Sequence, residues 1–357
     1  YWLAVGLSIA CNGATARLAA PSFEPNDAAV DRTDRDAFYR SAGFQPVTDA
    51  QVAAVNRGLD YLQRIQKSDG RFDDAGQYPV AMTALAGLAF LAAGHTPYQG
   101  QYAPVVRKAF EWVMRQQNAR GLFVHGEDYR SMYGHGFSTL FVSQCYGMGM
   151  PVDEAERVRL ALMKAVVVIA ESQSHNGGWY YSPYSQSDEG SVTVTQAQAL
   201  RGCANNGIPV PDETIRRAVD YMEKSQGADG LIRYSISSGG AGSVALTAAG
   251  VEVFFSLGQY ASRSAKAAKS LDALRQAYRH GQRIGHEAYA TFYAAQAFHQ
   301  SSDADFIEFF PAMRTGLVRA QKGSGAFTGD WAGDTYGTAL SVLTLCVSYE
   351  LLPIFQR

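Results

Sequence analysis

Three ionisable side chains, His135, Glu287 and Asp334, each stand four residues ahead of a threonine: Thr139, Thr291 and Thr338. A histidine and two carboxylates gathered at one rim span the titration range that general acid–base catalysis needs. These three are the candidate catalytic set. Glu127, Asp188, Glu189 and Asp330 fall in comparable segments. The same segments are rich in rings: HGEDYRSMYGHG (125–136), GGWYYSPYSQSDEG (177–190), LIRYSISSGG (231–240) and FTGDWAGDTYG (327–337). Tyr133, Trp179, Tyr181, Tyr234, Trp331 and Tyr336 are candidate ligand-binding residues, because aromatic faces hold isoprenoids, sugars or carbocations. The plainer reading makes the acids helix caps and the rings wedges between helices. Arg201 and Glu252 stand among small and apolar residues. A lone buried charge is costly, so they read as a structural ion pair or as polar groups on a cavity floor, with Gln144, Gln198 and Gln296 available to either.

The elements that must position these groups are repeated. Five turns share a Gln, three spacers, a Gly, one free position and a bulky apolar residue: QKSDGRF (66–72), QNARGLF (117–123), QSHNGGW (173–179), QGADGLI (226–232) and QKGSGAF (321–327). A helix with one apolar stripe precedes each turn, as Val52, Val55, Leu59 and Leu62 show, and a helix apolar nearly all round follows it, as in VAMTALAGLAFLAA (80–93). The first kind lies outside and the second must be covered on every side. Thr83, Thr139, Thr195, Thr247, Thr291 and Thr338 mark the inner helices at intervals of roughly fifty residues. This makes six hairpins, the fifth with a worn turn, RHGQRIGHE (279–287), that lacks the Gln. Six such hairpins predict an all-α fold, an α6/α6 toroid with parallel inner helices over residues 50–357. An open solenoid is the alternative, though no segment looks like a polar capping repeat. All six inner helices then start at one mouth, where their free amides favour an anionic group such as a diphosphate, carboxylate or uronate.

The chain of 357 residues is 47% hydrophobic, with a net charge of −2. That balance leaves no broad basic footprint for nucleic acid. Residues 1–20 read as the tail of a secretory signal peptide. They hold a short apolar run, Trp2 to Ala10, and small-residue cleavage sites at Ala14-Thr15-Ala16 and Leu18-Ala19-Ala20. The expected location is therefore exported: periplasmic, extracellular or in the envelope. The run is too short to span a bilayer, and no transmembrane span is expected in the mature chain. An ordinary N-terminal helix, and a lipoprotein anchored through Cys11 with Ser8 three before it, are the alternatives. Residues 21–49 read as a linker or packed arm. Cys145, Cys203 and Cys346 read as buried free thiols.

The turn and its flank resemble the repeat of squalene and oxidosqualene cyclases and of protein prenyltransferase β-subunits. The shared pattern is a basic residue, a small one, and later the Gln, Gly and aromatic. It is met at Arg57-Gly58 with Gln66, Gly70 and Phe72, and at Lys108-Ala109 with Gln117, Gly121 and Phe123. It recurs at Lys164-Ala165 with Gln173, Gly177 and Trp179, and at Arg217-Ala218 with Gln226, Gly230 and Ile232. The resemblance implies a toroid that binds an isoprenoid-like or other extended ligand at its mouth. This sequence departs from the family's chemistry. No acidic DxDD run precedes any of the threonines, and no Asp-x-Cys pair is present, so neither a zinc site nor any other cofactor is expected. Gly202-Cys203 continues into Ala204 and Asn205, unlike the thioester run of complement-like toroids. The other readings are a polysaccharide-binding or polysaccharide-lyase-like toroid and a non-catalytic envelope scaffold. In the ligand-binding readings, the expected ligand is a small molecule, a lipid or a glycan.

Overall fold

The computed structural model describes residues 32–257, 264–282 and 284–356. The leader read at residues 1–20 lies outside them. After α1 (Arg32–Ser41), twelve helices pair into six hairpins. The outer members are α2 (Asp49–Ile65), α4 (Ala103–Arg115), α6 (Val152–Glu171), α8 (Asp212–Ser225), α10 (Ala265–Arg279) and α12 (Asp303–Ala320). The inner members are α3 (Pro79–Ala92), α5 (Ser131–Gly147), α7 (Gly190–Asn205), α9 (Val244–Ser256), α11 (Glu287–Ser301) and α13 (Gly333–Cys346). Each inner helix packs on the next, and α13 packs back on α3, so the ring is closed. The all-α α6/α6 toroid is the observed fold, and the open solenoid is not.

Burial follows the two sequence patterns. Every residue of α3 except Pro79 is buried, whereas α4 buries a stripe through Val105, Val106, Ala109, Phe110, Trp112 and Val113. A helix surrounded by other helices has no polar face to spare. Helix α1 lies in the segment read as an arm. Its Tyr39 is buried and donates through its hydroxyl to Asp303 (2.9 Å). No described helix is long and apolar enough to cross a membrane. Cys145, Cys203 and Cys346 are buried free thiols.

The repeated turn is a staple between neighbouring hairpins. Gln66 Nε2 donates to Gly70 O in its own turn (3.0 Å) and to Val105 O in the next outer helix (2.9 Å). Gln117 does the same to Gly121 and Ala161, and Gln173 to Gly177 and Thr214. Gln226 reaches Lys266 O and Ser270 Oγ. Gln321 reaches Gly325 O and Ala54 O in α2, so the last turn is tied to the first hairpin. These carbonyls lie within the neighbouring helix rather than at its C-terminal end, where free carbonyls are expected. Gly70, Gly121, Gly177, Gly230 and Gly325 take φ from +85° to +101°. A Cβ on any of them would sit 2.2–2.8 Å from the carbonyl oxygen of Lys108, Lys164, Arg217, Lys269 or Arg57. The glycine is needed both for its backbone angle and for close approach to the next helix.

Candidate functional site

The N-cap residues of all six inner helices line one cavity: Tyr78, Arg130, Glu189, Ser243, His286 and Ala332. The six helices therefore start together at one end of the ring, as parallel packing requires. The cavity measures about 450 Å³. Its walls carry Tyr78, Tyr133, Tyr181, Tyr234, Tyr289, Tyr336 and Trp331, with Met82, Leu85, Phe137 and Leu246 as the larger remaining apolar groups.

Five of the six rings singled out in the sequence meet there: Tyr133, Tyr181, Tyr234, Trp331 and Tyr336. Tyr133 and Tyr181 have centroids 5.8 Å apart, and the Tyr181 and Tyr234 hydroxyls are hydrogen-bonded to each other. Trp331 is largely exposed and meets Tyr78 edge-on with centroids 6.2 Å apart. Trp179 lies elsewhere. It is fully buried, and its indole N–H donates to Ile169 O (2.7 Å), so it wedges helices apart.

The three candidate catalytic residues are not brought together at this cavity, and none lines it. His135 is fully buried. Its Nδ1 accepts the Phe123 N–H (3.1 Å), and Nε2 faces Ala165 O (3.2 Å), which suits a neutral ring protonated on Nε2. Burial pushes its pKa down to about 4, against the contact to Ala165. The reason is register. In three repeats the threonine hydroxyl accepts the N–H of the turn's bulky residue: Phe72 to Thr83, Ile232 to Thr247 and Phe327 to Thr338. In the second repeat His135 takes that place, and in the third Thr193 does (3.0 Å from Trp179 N). The markers Thr139 and Thr195 are displaced from it, so His135 matches Thr338 rather than Asp334. Asp334 forms an ion pair with Lys322 (2.7 Å), and Glu287 is exposed in the first turn of α11.

The carboxylates on the cavity wall are Glu189 and Asp128. Glu189 caps α7, accepting from Val192 N (2.8 Å) and Ser191 Oγ, with the Tyr133 hydroxyl at 3.3 Å. It is buried, and that burial raises its pKa against the hydrogen bonds from Ser191 and Val192. Its neighbour Asp188 serves the loops. Burial works to raise its pKa, but hydrogen bonds from Ser237, Asn176, Ser235 and the Ile236 N–H outweigh it and hold the carboxyl at about 2. Asp128 accepts the Arg130 backbone N–H (2.8 Å).

Arg201 and Glu252 lie away from the cavity, inside the ring. Glu252 is fully buried, bonded to Ser256 and Gln198. Burial raises its pKa to about 7, against those bonds and the pull of the Arg201 charge. Arg201 bonds Asn205 Oδ1 (2.8 Å) and the Ser256 carbonyl. Of the remaining candidates, Gln198 and Gln296 are joined at 3.3 Å, and Tyr293 donates to Gln198 (3.1 Å). No group of three or more metal-ligating side chains occurs among the described residues.

Sequence reasoning did not single out Tyr78, Arg130, His286 or Tyr289. Tyr78, Arg130 and His286 carry a signal: each sits one residue before an inner helix begins.

No protein-family model matches this chain, and no curated protein matches it. Solved structures do. A family 76 glycoside hydrolase from a bovine Bacteroides thetaiotaomicron strain aligns with TM-score 0.63 and 12% identity, over 86% of this chain and 79% of that one. The α-1,6-mannanase of Salegentibacter sp. HEL1_6 aligns with TM-score 0.64 and 11% identity, over 85% and 100%. An inactive variant of that mannanase has been solved with α-1,6-mannotetrose. A D-mannose isomerase aligns with TM-score 0.62 and 11% identity, over 86% and 97%. At these identities the likeness shows the fold, an α/α toroid. The type II terpene cyclase MstE from Scytonema aligns only at TM-score 0.38, too loosely to bear on function. The toroid implied by the turn's resemblance is supported by these neighbours, which do not single out the cyclase family.

Proposed function

We propose that this protein is a glycan-binding toroid that takes a short stretch of saccharide chain into the cavity where its inner helices begin. The carrying observation is the convergence of seven tyrosine and tryptophan rings and two carboxylates, Glu189 and Asp128, on one opening of about 450 Å³. Ring faces stack on the C–H faces of sugars, and the few polar groups fix orientation. Tyr133, Tyr181, Tyr234, Trp331 and Tyr336 are the ligand contacts in this reading. Glu189 and Asp128 are the pair available for acid–base work on a glycosidic bond, and burial raises the pKa of Glu189. Toroids of similar shape that bind α-1,6-manno-oligosaccharides support the class of ligand. An exported location, as the N-terminal segment suggests, would put the protein where polysaccharides are met.

The experiment is calorimetric titration with α-1,6-mannotriose and mannotetrose, with product analysis after long incubation. Binding should weaken about fivefold or more in Tyr181→Ala and Trp331→Ala, because stacking on one ring contributes on the order of 1 kcal/mol or more. Met82, Leu85, Phe137 and Leu246 on the same wall favour a second reading, an isoprenoid-like ligand. A copurified hydrophobe seen by native mass spectrometry, with no response to any saccharide, would replace the glycan reading with that one.

A further inference from the structure

The charged and titratable groups on the cavity wall, tyrosines aside, are Asp128, Arg130, Glu189 and His286. Both carboxylates accept local backbone hydrogen bonds, Asp128 from the Arg130 N–H in the turn before α5 and Glu189 from the Val192 N–H at the start of α7. The Arg130 guanidinium is held differently. It lies over the Tyr181 ring at 5.2 Å and over the Trp331 ring at 6.0 Å, and no carboxylate pairs with it among the described residues. Two aromatic faces fix its position at the rim without using its N–H donors.

The surroundings add donors of the same sign. The N-cap of α3, Tyr78, sits at φ +47° and that of α11, His286, at φ +56°, and neither helix start has a side-chain cap. By contrast, α7 and α9 are capped by Glu189 and Ser243, and the α13 start receives Asp74, which accepts the Thr335 N–H (3.1 Å). Tyr78 touches Trp331, so the open start of α3 lies beside the ring that Arg130 covers. Tyr289 also lines this wall, but its hydroxyl is cut off from solvent, so it is the ring that meets the cavity. The guanidinium of Arg130 and the start of α3, which has neither a side-chain cap nor an acid in its first turn, both await an acceptor; the start of α11 already carries Glu287.

We infer that the ligand of this cavity carries an anionic group, a carboxylate or a phosphate, and that Arg130 recognises it at the rim beside the start of α3. The inference rests on the glycan reading and narrows it to acidic or phosphorylated saccharides.

The test compares three probes on the full chain by calorimetry: α-1,6-mannotriose, the same trisaccharide phosphorylated at its terminal 6-hydroxyl, and the trisaccharide with that carbon oxidised to a carboxylate. At least one charged probe should bind about tenfold or more tightly than mannotriose, as a charge-assisted hydrogen bond contributes, and its advantage should shrink with added salt. Which probe gains tells phosphate from carboxylate. Arg130→Met should erase the advantage, and Arg130→Lys should retain part of it. Melting curves of both variants confirm that they fold, and Arg130→Lys alone decides the matter if Arg130→Met does not. Equal binding of all three probes, or weaker binding of the charged pair, overturns the anion inference and leaves the glycan reading standing. Binding of none removes both.

Discussion

His135 offers the sharpest test of how this ring is built. Its imidazole joins the turn at Phe123 to Ala165 in α6, and both nitrogens are occupied only while the ring is neutral. Protonating Nδ1 would aim an N–H at the Phe123 N–H inside a sealed core. The folded-state pKa is about 4, against 6.5 for an ordinary histidine. A folded pKa below the unfolded one means that the unfolded chain binds the proton first. Stability from this site is therefore complete above about pH 6.5 and is lost as pH falls toward 4. The gap of 2.5 pH units corresponds to about 3 kcal/mol at full extent, with about 2 kcal/mol already lost at pH 5. Urea unfolding of the wild type and of His135→Thr between pH 7.5 and 4.5 isolates this share. The threonine keeps an acceptor for Phe123, as Thr83, Thr247 and Thr338 do for their turns. It should be less stable at pH 7.5 by on the order of 1 kcal/mol, for the lost Ala165 contact. Below pH 6.5 the difference should close and then reverse. Parallel curves for the two proteins, or a His135 ring that titrates near 6.5 by NMR, would refute the reasoning.

Gln321→Ala removes the staple that ties the last turn to α2, leaving Ala54 O and Gly325 O without the amide. It should lower stability by about 1–3 kcal/mol in thermal denaturation while saccharide titration gives an unchanged Kd, because Gln321 is not part of the cavity. Glu252 has the opposite pH sense to His135. Burial raises its folded pKa to about 7, so its cost is absent below the ordinary carboxylate range and grows as pH rises through the window from about 4.5 to 7. Relative to the wild type, Glu252→Gln should gain about 2–3 kcal/mol across that window in denaturant titrations, whatever its offset at low pH. A flat difference would mean that Glu252 is already charged in the fold.

What the sequence determined by itself is whatever is written locally. Helical period, the all-apolar inner segments and the five Gln–Gly turns identify six hairpins, because helix burial and tight-turn geometry depend on residues a few positions apart. Closure is the reading the sequence favours, since no segment looks like a capping repeat, but it was the packing of α13 on α3 that decided it against an open solenoid. The tertiary structure alone decided which side chains meet. A threonine count cannot reveal that His135 and Thr193, rather than Thr139 and Thr195, take the hydrogen-bonding position in the second and third repeats. Nor can it show that Asp334 is tied to Lys322, that Trp179 is turned inward while Trp331 is turned out, or that Arg130 lies over rings from two other hairpins. Those outcomes depend on how loops of unequal length cross the end of a closed ring. Neighbours there are set by the ring's circumference, and distance along the chain no longer measures distance in space.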